Sequence, residues 1–315
     1  MRSFVVCVCL IALVLASGLT AIPAQETPKA ARALEILKQA REALGGEANL
    51  KAIRSLSASG KFNGAIGGRA TKGDIDLDLL LPDKYMRTIK MSMGPANITR
   101  IEAVNGDQVW MDMKRGMGIG GILGGMGGGG MGGPGGGGRG GGGGPGGGGR
   151  SGDGQMGGMR EMNTPAMREQ VRADFTRVLV AWLLTSPASS PVEFAYEQEF
   201  ETKEGKADVL RVTGANDFYL LLGMDQRTHR PVMLVYRALA PRRAAGSRGN
   251  EEPSDRPREP EWVDMEVHLS DYKAAGKVFL PHRVVKTSND QTVEEWVISK
   301  YKLNPSRFAR FRSQF

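Results

Sequence analysis

One segment constrains the fold more than any other: residues 73–93, GDIDLDLLLPDKYMRTIKMSM. Its first half alternates strictly, with Leu77 and Leu79 on one face and aspartates on the other. A period of two is typical of a β-strand that is buried on one face only. Pro82 then interrupts the strand, because proline has no N–H to donate to a neighbour. The segment therefore predicts two antiparallel strands that share one apolar face.

The same alternation returns in both halves of the chain. It is clear from Leu56 to Ile66 and again from Glu261 to Asp271. Asn105-Gly106 separates two further apolar runs and is a strong signal for a tight hairpin. In total the sequence predicts ten to eleven antiparallel strands. The expected fold class is α+β, mainly antiparallel β.

Two segments, 27–44 and 164–185, have the 3.6-residue period of amphipathic helices. Each begins with threonine and proline, which suit an N-cap and the first helical position. The second helix carries Phe175, Leu179 and Trp182 on a wide apolar stripe that needs a partner surface. We therefore expect it to lie over the concave apolar face of the sheet. The predicted stripe of the first helix comprises Ala30, Leu34, Leu37, Ala40 and Leu44.

Residues 1–24 have the features of a secretory signal peptide, with Arg2 before an apolar run and a preferred cleavage site after Ala24. Both cysteines of the chain lie in this leader, and neither ends a lipobox. We expect an exported, periplasmic protein that is not a lipoprotein and has no disulfides. An uncleaved N-terminal anchor is the alternative. Residues 25–315 are expected to form a single domain and a monomer.

Two segments interrupt this domain: a glycine-rich insertion, 116–160, and a polar loop, 241–260. A glycine-rich segment buries too little apolar surface to offset the entropy of ordering, so the insertion is predicted to be disordered. Scattered methionines in the insertion leave Cu(I) binding open as an alternative. Its arginines resemble RNA-binding segments only loosely, and a leader would carry the protein away from RNA, so no nucleic-acid partner is expected.

Signatures of catalysis are absent from the sequence. It contains no G-x-S-x-G, no H-E-x-x-H and no Walker-type lysine. Its three histidines, His229, His268 and His282, have no metal-ligand spacing. We therefore predict a protein that is not an enzyme, with no catalytic residues, no cofactor and no metal site.

The order of leader, helix, strands, helix and further strands resembles the LolA/LolB-like family of periplasmic lipoprotein carriers, which act in outer-membrane lipoprotein sorting. Three stretches carry the resemblance: 73–87 (GDIDLDLLLPDKYMR), 105–113 (NGDQVWMDM) and the helix segment 174–184. The family implies an incomplete, strongly curved β-barrel, with helices over an apolar cavity that holds acyl chains. Carriers of this family have an arginine directly before the hairpin proline. Here Leu81 occupies that position, which favours a relative with another ligand.

The resemblance implies a non-enzymatic protein of the cell envelope that binds lipid or lipoprotein acyl chains. An RseB-type sensor with the same fold is the alternative, and it would have a membrane protein as its partner. Plain core packing is the structural alternative for every residue proposed to line the cavity. The predicted lining residues are Leu77, Leu79, Met111, Phe175, Leu179, Trp182, Leu220, Leu222, Met265 and Val267.

Overall fold

The computed structural model describes residues 28–66, 69–93, 96–117, 164–202, 205–239 and 262–305. The predicted leader, the polar loop 241–260 and all but the first two residues of the glycine-rich insertion lie outside these ranges. Gly116 and Met117 belong to a strand and not to the predicted insertion. None of the described helices is long and apolar enough to cross a membrane.

The described chain contains three helices and twelve strands. The helices are α1 (Pro28–Ala43), α2 (Glu47–Lys51) and α3 (Pro165–Leu183). The strands of the first half are β1 (Ser55–Ile66), β2 (Arg69–Leu80), β3 (Lys84–Met93), β4 (Ala96–Asn105) and β5 (Gln108–Met117). Those of the second half are β6 (Val192–Thr202), β7 (Gly205–Gly214), β8 (Tyr219–Asp225), β9 (Pro231–Leu239), β10 (Trp262–Ala275), β11 (Val278–Ser288) and β12 (Gln291–Leu303).

All twelve strands form one antiparallel sheet in the order β5-β4-β3-β2-β1-β12-β11-β10-β9-β8-β7-β6. The predicted number of ten to eleven strands was too low, because the first half of the chain forms five full strands and the second half seven. Each half is a meander, and the pairing of β1 with β12 joins the two. The sheet remains open, with β5 and β6 at its edges. The predicted antiparallel, incomplete barrel is thus confirmed.

Contacts of α3 show how strongly the sheet curves. Phe175 stacks on Tyr85 of β3, with ring centroids 5.3 Å apart. Two residues later, the guanidinium of Arg177 lies 3.7 Å from the ring centroid of Tyr236 on β9. In a flat sheet β3 and β9 would be about 29 Å apart, at about 4.8 Å per strand. The sheet must therefore wrap around α3, which occupies its concave side as predicted.

Local sequence explains both ends of α3. The hydroxyl of Thr164 accepts a hydrogen bond from the backbone N–H of Met167 at 3.3 Å, and Pro165 takes the first helical position. At the other end Leu184 adopts a left-handed conformation with φ 51° and terminates the helix. Nine of the helix residues are buried. These caps determine where α3 begins and ends.

The buried face of α1 differs from its predicted stripe. Ile36 and Leu37 are buried, but Leu34 is 53% exposed. Leu34 is two positions from Ile36, which is about 200° around the helix axis and so on the opposite side. The face that packs towards β6 is formed by Ala33, Ile36, Leu37 and Ala40.

Gly45 fixes the end of α1 against the sheet. Its φ of 118° lies in a region that favours glycine, and an added Cβ would lie 2.2 Å from the carbonyl oxygen of Lys277. Next to it, the carbonyl of Leu44 accepts a hydrogen bond from the N–H of Phe279 at 2.9 Å. The close approach of these two backbones docks α1 on the start of β11.

We expect Gly45→Ala to lower the free energy of unfolding by about 3 kcal/mol, because it adds both backbone strain and overlap with a main-chain atom. Gly106→Ala is the matched control. Gly106 also has a positive φ, of 57°, but a Cβ added there would meet no heavy atom within 4 Å. Gly106→Ala should lower the free energy of unfolding by only about 1 kcal/mol. Urea unfolding of both variants tests this, and equal losses would contradict the role of the Gly45 contact.

Candidate functional site

The predicted lining residues lie together in the main core. Nine of the ten are buried, and Met111 is half-buried and packs against the same core. Leu77 and Leu79 face the same side as Arg87 and Tyr85, their partners in register on β3. Trp182 meets the ring of Tyr301 edge-on at 5.5 Å. These positions were correctly expected to be apolar and inward-facing, and their contact with a ligand stays a prediction.

A buried ion pair, Arg87–Glu102, lies within this apolar surface. The two side chains are only 5% and 1% exposed. They lie opposite each other on β3 and β4, and Arg87 Nε donates to Glu102 Oε2 at 2.7 Å. Arg100 contacts the second carboxylate oxygen of Glu102. Glu102 is thus held between two arginines.

Two residues of α3 extend the network towards the helix. Asp174 Oδ2 lies 3.5 Å from Arg87 Nη2, and its Oδ1 accepts a hydrogen bond from Arg177 Nη1 at 2.8 Å. The guanidinium of Arg177 also covers the face of Tyr236, a favourable cation–π arrangement. The helix therefore contacts the sheet through charges as well as apolar side chains.

A third pair comes from β11 and β12. Lys286 Nζ lies 3.4 Å from Glu294 Oε2 and 4.6 Å from the ring centroid of Trp296. The indole N–H of Trp296 donates to the other oxygen of Glu294. We call the complete set the charge cluster: Arg87, Arg100, Glu102, Asp174, Arg177, Lys286 and Glu294.

The carboxylates of the charge cluster stay ionised despite their burial. Desolvation raises the pKa of Glu102, but the charges of Arg87 and Arg100 outweigh it and hold that pKa below its usual value. Asp174 and Glu294 follow the same pattern, and in both the charge of Lys286 is the largest opposing effect on the pKa. Burial lowers the pKa of Lys286 itself, but Glu294, Tyr236 and Asp174 together outweigh this effect and raise the pKa above its usual value.

A cavity of about 30 Å³ lies beneath α3 at the border of the charge cluster. Arg87, Asp174, Arg177 and Lys286 line one part of it. The rest is aromatic and aliphatic, and includes Trp182 and Val267 of the predicted set. Its volume suits roughly one water molecule, whereas ligand pockets typically span about 300–1,000 Å³. The space predicted for acyl chains is therefore filled by side chains in this structure.

A larger groove of about 620 Å³ opens at the edge of the sheet. It lies between the β4–β5 turn and the first turns of α3, where Arg172 donates to the carbonyl of Asp107 at 2.7 Å. Its other walls include Trp110, Arg168 and Glu169. It contains none of the predicted lining residues.

Leu81, the position that departs from the carrier family, lies in the turn between β2 and β3. It is partly buried and packs against the main core, and its N–H donates to the carbonyl of Arg54 at 2.9 Å. It does not line the small cavity. Within the described ranges, no three His, Cys, Asp or Glu side chains converge as metal ligands would.

The charge cluster was not predicted from the sequence, although a signal was present. Arg87 follows Tyr85 by two residues, so the alternation of β3 places both on the concave face. Asp174 and Arg177 share the inward side of α3 with Val178 and Ala181, because all four line the same cavity. Charged residues at core-facing positions indicate function or specificity more often than stability.

Comparisons with known proteins give likeness in structure only. No protein-family model and no curated protein matches the chain. An outer membrane lipoprotein-sorting protein domain from Vibrio parahaemolyticus matches at 9% identity with a TM-score of 0.41, over 89% of this chain and 96% of that one. A LolA superfamily protein from Nitrosomonas europaea matches at 11% identity and a TM-score of 0.38, over 87% and 94%. A DUF1329 family protein from Desulfovibrio piger matches at 6% identity with a TM-score of 0.42, over 89% of this chain and 95% of that one.

The first two names agree with the resemblance seen in the sequence. At these identities and TM-scores the matches carry no argument about function. The fold class rests on the open antiparallel sheet of this chain and on the helix that it surrounds.

Removal of one partner from the buried Arg87–Glu102 pair should lower the free energy of unfolding far more than removal of both partners. We expect Glu102→Met to lower the free energy of unfolding by about 3–5 kcal/mol, because Arg87 then stays buried without its main counter-charge. The double variant Arg87→Met with Glu102→Met should recover much of that loss. Urea unfolding measures both, and strictly additive losses would contradict a coupled pair. The same cycle on the exposed pair Lys206–Glu199 should show no coupling.

Acid should destabilise the fold through protonation of Glu102. The pKa of Glu102 is lowered in the folded state, so its contribution is present above the ordinary value of 4.5 and is lost as the pH falls through the folded-state pKa. We expect the free energy of unfolding to fall less steeply with acid in Glu102→Gln than in the unaltered protein. Glu193→Gln, which changes an exposed carboxylate on β6, should keep the original slope. Three equal slopes between about pH 5 and pH 3 would contradict this.

Proposed function

We propose that this protein is a non-enzymatic, exported protein of the cell envelope that holds acyl chains between α3 and the concave face of its sheet. The observation that supports the proposal most directly is the apolar interface beneath α3. Phe175, Leu179 and Trp182 are all buried there against sheet residues from both halves of the chain. Apolar contact is non-directional, so an alkyl chain can replace such side-chain contacts without a loss of specific geometry.

Binding requires α3 to move, because the cavity beneath it measures only about 30 Å³. The hydrogen bonds that reach α3 and its C-cap from other elements come from side chains, including Arg172 to the carbonyl of Asp107 and Arg41 to that of Leu184. Displacement of the helix uncovers apolar area, and an acyl chain covers it again at about 0.8 kcal/mol for each buried CH₂ group. Displacement of the helix also separates Asp174 from Arg87, so the acyl chain must offset the loss of this ion pair as well as cover apolar area.

Tryptophan fluorescence offers a direct test, because the chain has four tryptophans in different surroundings. Trp182 and Trp296 line the small cavity, whereas Trp262 is 53% exposed. In a variant that keeps only Trp182, with phenylalanine at the other three positions, a dibrominated fatty acid should quench most of the emission in a saturable way. A variant that keeps only Trp262 is the matched control and should stay bright.

Mass spectrometry of protein recovered from the periplasm of a Gram-negative host should in addition detect co-purified lipid. Saturable quenching of Trp262 alone would place the lipid outside the α3 interface. No quenching and no co-purified lipid would contradict acyl binding, and capture of a membrane protein by crosslinking would then favour the sensor function.

A further inference from the structure

We propose that the charge cluster is a subsite for the anionic head group of a single-chain amphiphile, with a carboxylate as the preferred group. This inference rests on the proposed function, since it assigns the head group of a ligand whose chain lies beneath α3. It assigns a chemical role to residues that the acyl-binding proposal does not use.

The first observation that supports this subsite is an excess of positive charge at the cavity wall. Three cationic side chains line the cavity, Arg87, Arg177 and Lys286, but only one carboxylate, that of Asp174. The cluster as a whole holds four cations and three carboxylates. One additional anion at the cavity would balance the set, and low local polarity strengthens its attraction to the three cations.

Buried donors without partners are the second observation. Arg87 is 5% exposed, and its Nε and Nη2 are used by Glu102. Its Nη1 has no hydrogen-bond partner among the residues that the structure describes, and neither has Nε of Arg177. A guanidinium has five N–H donors and no acceptor, so these positions require an acceptor, which a water molecule or a carboxylate can supply. An ionised carboxylate forms the stronger, charge-assisted bonds.

Shape and polarity of the cavity select the type of amphiphile. Its volume of about 30 Å³ is that of one small polar group, so a carboxylate requires less rearrangement here than a larger phosphodiester head group. The side opposite the charges is apolar and includes Val178, Ala181 and Trp182 of α3. A ligand whose carboxylate lies beside the cations and whose alkyl chain lies along this side of α3 therefore matches both parts of the cavity wall.

The test compares amphiphiles that share a twelve-carbon chain and differ in the head group: laurate, dodecanol and dodecyl phosphate, each below its critical micelle concentration. Titration of the full exported chain, followed by its total tryptophan emission, gives the three dissociation constants. We expect laurate to bind about tenfold or more tightly than dodecanol, the effect expected of a buried charge-assisted hydrogen bond. Dodecyl phosphate should bind more weakly than laurate.

Arg177→Met should remove the preference for laurate over dodecanol while the affinity for dodecanol is kept. Asp174 then still faces Arg87 and Lys286. Arg172→Met is the matched control on the same helix, because Arg172 lines the outer groove and not the cavity. It should keep the preference. Thermal unfolding by circular dichroism verifies that both variants fold.

Each other result has a distinct meaning. Equal affinities for laurate and dodecanol in the unaltered protein would overturn the subsite and leave acyl binding intact, whether or not either variant folds. A preference that survives Arg177→Met in folded protein would also overturn it. Tighter binding of dodecyl phosphate than of laurate would overturn the choice of a carboxylate. Binding of none of the three would overturn acyl binding and the subsite together.

Discussion

The contact of α3 with strands on both sides of the concavity is the constraint on which the rest of the structure depends. Neighbouring residues of one helix touch β3 and β9, so the helix and the curvature of the sheet determine each other. A twelve-stranded antiparallel sheet with two free edges has no closure of its own to hold it curved. The helix supplies the interior that the sheet bends around, and α1 covers the side near β6.

Burial of the charge cluster in this interior costs desolvation free energy, a cost that buried apolar side chains do not have. Buried ion pairs seldom stabilise a fold more than apolar residues of the same size would. Here the cost is limited because each carboxylate faces at least one cation, and three cations lie over aromatic rings. The cluster also links β3, β4, α3, β11 and β12, and displacement of α3 separates Asp174 from Arg87 and Lys286.

Much of the fold could be predicted from local pattern. The Thr164-Pro165 start of α3, the Asn105-Gly106 turn and the alternation in β2 each follow from one short stretch, and each is where the sequence placed it. The orientation of α1 was harder, because alanine and leucine on two sides of a helix allow more than one apolar stripe. Leu34 was predicted to lie on the apolar stripe, but its side chain is exposed to solvent.

The candidate site could be predicted only in part. Inward-facing Leu77 and Trp182 were found because both burial and ligand contact favour apolar side chains, and for the same reason the sequence cannot separate the two roles. The charge cluster was missed because its members come from five elements far apart in the chain. Arg87 and Glu294 become neighbours in the fold only through the pairing of β1 with β12 and the curvature around α3.

The central pairing of the sheet has a consequence for the order of events during biosynthesis. β1 and β12 are the first and last strands of the described chain, and Ser299 donates to the carbonyl of Ser59 across 240 residues of sequence. Such a pairing closes a very long loop and is slow to form. The two meanders can assemble separately, but they cannot join until the last strand has left the ribosome. Until β12 has formed, β1 remains an unpaired edge, and the half of the sheet built from β1 to β5 stays open to pairing with other strands.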